Sequence, residues 1–248
     1  MLILVALGQK RATAQAVAKA APDGYTLTMA VSSAFGINPT LYSKLPYDAI
    51  NDFAPIANLG LTPQTLVVSP AESYKTVKEF VAAAKEKPGQ INYASLGTGS
   101  TSHLTMEMFR SAAGITLNHV PFKGSSEGHT ALISGLIPSM FDAIPATLPQ
   151  IKGGRLRALA VTAGKRLIIL PEVPTAAESG MPKFEFQSWV GLLAPANTPA
   201  AIVRQLNEHI VRAARAPDIA ERFTREGAEV VAGTPEHLRK VMADETAL

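Results

Sequence analysis

The sequence contains no cysteine. That excludes disulfides, thiolate metal sites and a cysteine nucleophile, and it leaves the redox compartment open. Aromatic residues make up only 6% of the 248 residues, and the lysines and arginines are dispersed. Without a basic stripe carrying stacking platforms, no nucleic-acid partner is expected. Long hydrophobic runs are missing as well. The apolar start, Met1 to Leu7, is too short for a transmembrane helix or for most signal-peptide cores, and Lys10 and Arg11 follow it instead of preceding it. The chain as written is therefore expected to carry no export signal. Charge is scarce too: 17% charged against 47% hydrophobic residues describes a well-buried globular chain, long enough for one large domain or two small ones. The net charge of +3 is mild and compatible with a small acidic ligand.

Strand-like and helix-like runs alternate, which predicts an α/β protein with mainly parallel sheets. Helices are expected at Ala12 to Ala21, near Pro39 to Lys44, at Val77 to Lys87 and at Leu104 to Ala113. Further helices are expected at Thr130 to Ser134, Thr198 to Ala214, Ile219 to Glu226 and Pro235 to Ala243. In the third of these, Val77, Phe80, Val81 and Ala84 fall on one face. Strands are expected at Tyr25 to Val31, Thr65 to Ser69, Ile91 to Ala94, Thr116 to Pro121, Ile137 to Asp142, Leu156 to Thr162 and Gln187 to Ala194. Lys165 to Lys183 reads as a long connection rich in proline and glycine. Residues 92–184 then form a second α/β unit inserted into a first made of residues 1–91 and 185–248, with strands near Gln64 to Ser69 and Gln187 to Ala194 as the crossings. Two-lobed α/β proteins place ligands in a cleft between lobes, where strand C-termini and helix N-termini converge.

The stretch Ile91-Asn-Tyr-Ala-Ser-Leu-Gly-Thr-Gly-Ser-Thr-Ser-His103 is the most informative. It reads as a strand, a loop with two glycines and several hydroxyls, then a helix. First-turn amides lack intrahelical partners and the helix dipole adds positive charge, so such a loop suits an anion. An ordinary helix start capped by Ser100 is the plainer alternative. Gly97-Thr98-Gly99-Ser100 falls short of a dinucleotide fingerprint, since position 102 is serine, and it lacks the Gly-Lys-Ser/Thr ending of a P-loop. The five histidines show no metal-ligand spacing, and His103 alone stands out because it lies in the first turn after the glycines. Lys123 follows a strand and either points to a ligand or is a surface lysine. Asp142 ends a strand, where it either meets a ligand or caps a helix opened by Pro145. Gly124-Ser125-Ser126-Glu127-Gly128 matches the G-x-S-x-G nucleophile elbow, with Asp142 or Asp218 and His209 or His237 as partners for Ser126. The pattern is short, Phe122-Lys123 is not an apolar strand end, and no His-Gly-Gly motif precedes it. An α/β hydrolase using Ser126 is therefore the runner-up, not the main reading.

The order of segments resembles one family along essentially the whole chain from about Ala12. Pro22-Asp23-Gly24-Tyr25-Thr26-Leu27 is followed by Ile37-Asn38-Pro39, Leu41-Tyr42, Leu45-Pro46-Tyr47-Asp48 and Asp52-Phe53-Ala54-Pro55-Ile56. Then come Asn92 to Ser95, Gly97 to Ser100, His103-Leu104, His119-Val120-Pro121-Phe122-Lys123-Gly124 and Met140-Phe141-Asp142. Arg155 to Thr162, Leu170-Pro171-Glu172-Val173-Pro174-Thr175 and Ala194-Pro195 through Thr198-Pro199 complete the series. This resembles the Bug (TctC-type) extracytoplasmic solute receptors of the tripartite tricarboxylate transporter system.

The resemblance implies a two-lobed, type II periplasmic-binding-protein fold that closes on a small carboxylated solute, without catalysis and without a cofactor. It implies a periplasmic monomer whose partners are that ligand and the membrane components of the transporter. Carried over by position, the implied ligand-binding residues are Ser95, Gly97, Thr98, Gly99, Ser100, Thr101, Phe122, Lys123, Gly124 and Asp142 from the second lobe and Ser33 from the first. Neutral donors of this kind hold an anion without burying an unpaired charge, and bridging waters let one scaffold accept different acids. One departure stands out. Family members begin with an export signal, a strand and a glycine-rich loop, which Met1 to Arg11 does not resemble. Met1 to Ala6 is the available substitute strand, and Gly8 alone does not replace the loop. The expectation is a truncated or mis-started member with weakened or absent binding, or in the extreme a fragment without function.

Overall fold

The computed structural model describes residues 3–5 and 10–246. In chain order the first elements are β1 (Ile3–Val5), α1 (Lys10–Ala18), β2 (Thr26–Val31), a π-helical segment (Ser33–Ile37), α2 (Asn38–Leu41), β3 (Phe53–Val68) and α3 (Val77–Glu86). Next are β4 (Asn92–Ser95), α4 (Thr101–Ala113), β5 (Asn118–Pro121), α5 (Ser125–Ile133), β6 (Ser139–Ala143), α6 (Ile144–Lys152) and β7 (Arg157–Val161). The chain continues through β8 (Gln187–Pro195), α7 (Ala200–Ala214), α8 (Pro217–Arg225), β9 (Glu229–Val230) and α9 (Pro235–Thr246). No helix among the described residues is long and apolar enough to cross a membrane.

The chain divides into two compact units. One comprises Met1–Leu61, Ser188–Thr224 and Glu229–Leu248, and the other Thr62–Gln187 with Arg225–Ala228. β3 and β8 are the strands along which the chain passes from one unit to the other. The division differs from the expected one at residue 92, because α3 goes with the second unit. Its Thr76 cap accepts a hydrogen bond from the Glu79 amide at 3.2 Å, and its buried face of Val77, Phe80 and Ala84 joins the core that holds Phe109, Phe141 and Phe184. That apolar face needs a partner, and the aromatic cluster provides it.

The sheets are mixed, not mainly parallel as expected. β1 pairs with β2, and β4 with both β5 and β6, in parallel. The two crossing strands bring antiparallel ladders: β2 with β8, and β3 with β6, β7 and β9. β3 itself was underestimated, since it runs for 16 residues while the sequence marks only its apolar end. Pro55 and Pro63 break the pattern by which a strand is recognised, and a strand passing between two ladders tolerates such missing donors. The expected short helix near Pro39 starts earlier, as the π-helical segment. The helix expected to open at Pro145 is α6, whose N-cap is Ala143 without a side-chain cap, not Asp142, and which runs on past Pro149. β1 adds to β2 in the place where Met1 to Ala6 was the available substitute, while Gly8 lies outside the described residues.

The first unit packs Phe35 edge-on against Phe53 at 5.1 Å, beside Tyr47, Trp189, Leu238 and Met242. Glu245 of α9 accepts a hydrogen bond from the Trp189 indole beside Ser32, and burial pushes its carboxyl above the usual range. In the second unit Phe109 stands 5.7 Å from Phe141 and 5.8 Å from Phe184, both edge to face. Phe109→Ala empties the centre of this cluster and is expected to cost about 3–5 kcal/mol. Truncation of the exposed Leu136 should change stability by less than about 0.5 kcal/mol. Urea unfolding of both variants checks this, and equal midpoints would show that the cluster is not the core of its unit.

Candidate functional site

Within the second unit the strands run β6, β4, β5 in parallel, and each feeds a helix within a few residues: α6, α4 and α5. Parallel pairing carries the three helix N-termini to one edge of the sheet, the edge where α/β proteins present backbone donors. The register sets Ser95 opposite Pro121, and the Phe122 amide donates to the Ser95 carbonyl at 2.9 Å. The glycine loop and the Phe122-Lys123-Gly124 turn are therefore neighbours.

The glycine loop is largely held by its own groups. Gly97 and Gly99 have φ of +103° and +76°, which side chains rarely adopt, so glycine is favoured at both. The Ser95 hydroxyl accepts from the Gly97 amide at 3.1 Å, and the Ser102 hydroxyl accepts from the Leu96 amide at 2.9 Å. Ser100 caps α4, accepting from the His103 amide at 3.3 Å and donating its hydroxyl to the Gly97 carbonyl at 2.7 Å. Of the two readings of Ser100, the structure shows the plainer one, the capping residue of α4. The amides of Thr98, Thr101 and Ser102 have no protein acceptor among the described residues.

α5 starts differently. Its N-cap is Gly124 in extended backbone, with no side-chain cap, and the amides of Ser125, Ser126 and Glu127 have no protein acceptor among the described residues. The Glu127 carboxylate instead accepts from the Lys123 amide at 3.2 Å. Lys123 is exposed and Phe122 half-buried. Ser126, the hydrolase candidate, is exposed on the first turn of α5, a helix that starts earlier than the expected Thr130. It has no hydrogen bond to an imidazole among the described residues. Asp142 is turned inward: one carboxylate oxygen accepts from the Ala143 amide at 2.8 Å, and the other lies 3.0 Å from Nε2 of the buried His129. It thus lies at ion-pair distance from His129 without a hydrogen bond between them, and it has no hydrogen bond to Ser126 among the described residues. Asp218, His209 and His237 belong to the first unit, as does Ser33, which is buried at the start of the π-helical segment.

Sequence reasoning did not foresee the stack behind the loop. The rings of His103 and His119 lie 4.2 Å apart, and Tyr93 flanks His119 at 5.0 Å. His119 Nε2 is 2.5 Å from the Ser95 hydroxyl, and His103 Nδ1 accepts from the Gly99 amide at 3.3 Å. Tyr93 donates its hydroxyl to Glu107, which also receives Arg110 at 2.6 Å. Burial lowers the pKa of both imidazoles, and for His119 the neighbouring His103 adds to it. Burial raises the Tyr93 hydroxyl; at Glu107 burial acts upward as well, but hydrogen bonds from Tyr93 and Arg110 prevail and lower the carboxyl. Only the position of His103 behind the glycines could have pointed here; His119 enters through the parallel register. No group of three or more His, Asp or Glu able to hold a metal occurs among the described residues.

This architecture is that of the periplasmic binding proteins. MatC from Rhodopseudomonas palustris, solved with bound malate, superposes with a TM-score of 0.86 at 32% identity over 97% of this chain and 83% of its own. The R. palustris protein Rpa4515, solved with adipate, gives a TM-score of 0.90 at 31% identity over 96% and 79%. The chain belongs to the tripartite tricarboxylate transporter receptor family, whose model matches residues 8–248. It is also 36% identical to Protein BugT of Bordetella pertussis over 231 residues, which are 93% of this chain and 71% of that protein.

The imidazole stack makes stability depend on pH. Both histidines titrate below 6.5 when folded and close to it when unfolded, so just below 6.5 the unfolded chain binds more protons. Their contribution is complete above 6.5 and is lost as pH falls through the folded values. Glu245, with its raised value, acts in the opposite sense. The readout is therefore the difference in Tm between the native chain and a His103→Asn/His119→Asn double variant, from about pH 8 to pH 5. The native chain should lose more Tm on acidification, and parallel curves would refute the assignment.

Proposed function

We propose that this chain is a non-catalytic receptor that captures a small dicarboxylate in the periplasm, as a monomer without a cofactor, for the membrane components of a tripartite tricarboxylate-type transporter. The observation that carries the reading is the set of unengaged first-turn amides at α5, beside the glycine loop. A carboxylate there accepts from the amides of Ser125, Ser126 and Glu127 and from the amides and hydroxyls of Thr98 and Thr101. These donors are neutral, so an anion is matched by partial charges and no ion is left unpaired when the site is empty. Lys123 supplies a positive charge at the rim. Phe122 and Gly124 shape the turn, Gly97 and Gly99 give the loop its backbone, and Ser95 and Ser100 hold it. Asp142 acts behind the site by holding the Ala143 amide at the start of α6. The malate and adipate held by the family relatives support a dicarboxylate as the ligand class.

Isothermal titration with malate and adipate tests the reading, with Tm shifts as a second measure; a ligand at 100 times its Kd raises stability by about 2.7 kcal/mol. Gly97→Val forces a β-branched side chain into positive φ and should weaken binding at least about tenfold. Ser126→Ala keeps the backbone donor and should still bind. Absence of any response to malate, adipate or citrate would overturn the proposal, as would an esterase activity that Ser126→Ala abolishes.

A further inference from the structure

We propose that His103 is a pH-sensitive positioning residue: its neutral imidazole anchors the glycine loop through the Gly99 amide, and protonation releases that anchor and weakens carboxylate capture. The inference rests on the dicarboxylate reading for its consequence, but not for its geometry. The Gly99 N–H points at His103 Nδ1, 3.3 Å away, so Nδ1 must carry a lone pair and the ring proton sits on Nε2. Adding a proton at Nδ1 sets two donors against each other. A backbone amide cannot reverse its role, so the bond is lost and Gly99 must move.

His119, the other ring of the pair, faces a partner that can adapt. The Ser95 hydroxyl, 2.5 Å from Nε2, donates to the neutral ring or accepts from the protonated one, while still accepting from the Gly97 amide. Protonation of His119 is thus absorbed, whereas protonation of His103 is transmitted to the loop. The titratable and charged groups around the pair are Tyr93 on β4, His119 on β5, and Glu107 and Arg110 on α4. Glu107 favours the cation at His103, while burial and Arg110 oppose it, and burial is the largest effect. The neutral, loop-anchoring form is accordingly the one the unit maintains at neutral pH, and the anchor fails on acidification.

The test compares the native chain with His103→Asn, whose side-chain oxygen can accept from the Gly99 amide but does not titrate, and with His103→Leu, which has no acceptor. Malate and adipate affinities are measured from about pH 8 to pH 5; protonation of the ligand is common to all three proteins and cancels in their ratio. Relative to His103→Asn, the native chain should lose affinity on acidification, by up to about tenfold per pH unit below the folded pKa of His103. His103→Leu should bind weakly throughout. Independently of any ligand, the Gly99 amide 15N resonance of the native chain should shift with the titration of His103, and that shift should vanish in His103→Asn. If neither acid binds the native chain at neutral pH, the dicarboxylate reading fails while the Gly99 resonance still decides the anchor. A Gly99 resonance indifferent to pH, or affinity curves parallel in the native chain and His103→Asn, would overturn the inference.

Discussion

The parallel pairing of β4 with β5 and β6 is the constraint on which the candidate site depends. A parallel ladder forces each connection to return over the sheet, so the helices α4, α5 and α6 all begin where their strands end. Three sets of first-turn amides meet at one edge for that reason alone. What distinguishes them is capping. α4 is closed by Ser100 and its loop by Ser95, Ser102 and His103, whereas α5 has only Gly124 ahead of it. The glycine loop is therefore the more heavily braced element, and open donors lie on both turns: the amides of Thr98, Thr101 and Ser102 on one, and those of Ser125, Ser126 and Glu127 on the other.

Rigidity in the loop comes from the layer beneath. His103, His119 and Tyr93 form a stack that reaches Glu107 and Arg110, so loop amides are connected through side chains to the middle of α4. The same arrangement that shapes the loop also makes it titratable, because imidazoles supply acceptors only while neutral. A recognition surface built from backbone amides carries no ionisable group of its own, and here its pH response comes from the supporting side chains. Below that layer the Phe109 cluster holds α3 and α4 to the sheet and gives the stack a fixed base.

Much of the fold was legible because its signals are local. The face of Val77, Phe80 and Ala84 marks α3, and Gly97, Gly99 and Ser100 mark a special turn before a helix. Where signals conflicted, reading failed: Pro55 and Pro63 hid the first part of β3, and Pro149 hid how far the helix opened by Pro145 continues, since proline ordinarily ends the element in which it sits. The candidate site was legible as a set of positions but not as a division of labour. Ser100 and Ser95 spend their hydroxyls on the loop, and Asp142 turns to His129, choices that depend on partners brought from other strands.

By itself the sequence determined most of the element types, the glycine turn ahead of α4, the alternation of strand and helix, and an ordered series of segments specific enough to point to a family. These follow from backbone sterics and periodicity, which neighbouring residues settle among themselves. Tertiary structure alone decided that His119 meets Ser95 and His103, that Asp142 is withdrawn from the surface, and that α5 keeps its amides open. Those outcomes depend on strand register and on which residues of other elements pack nearby, and no spacing along a single chain encodes either.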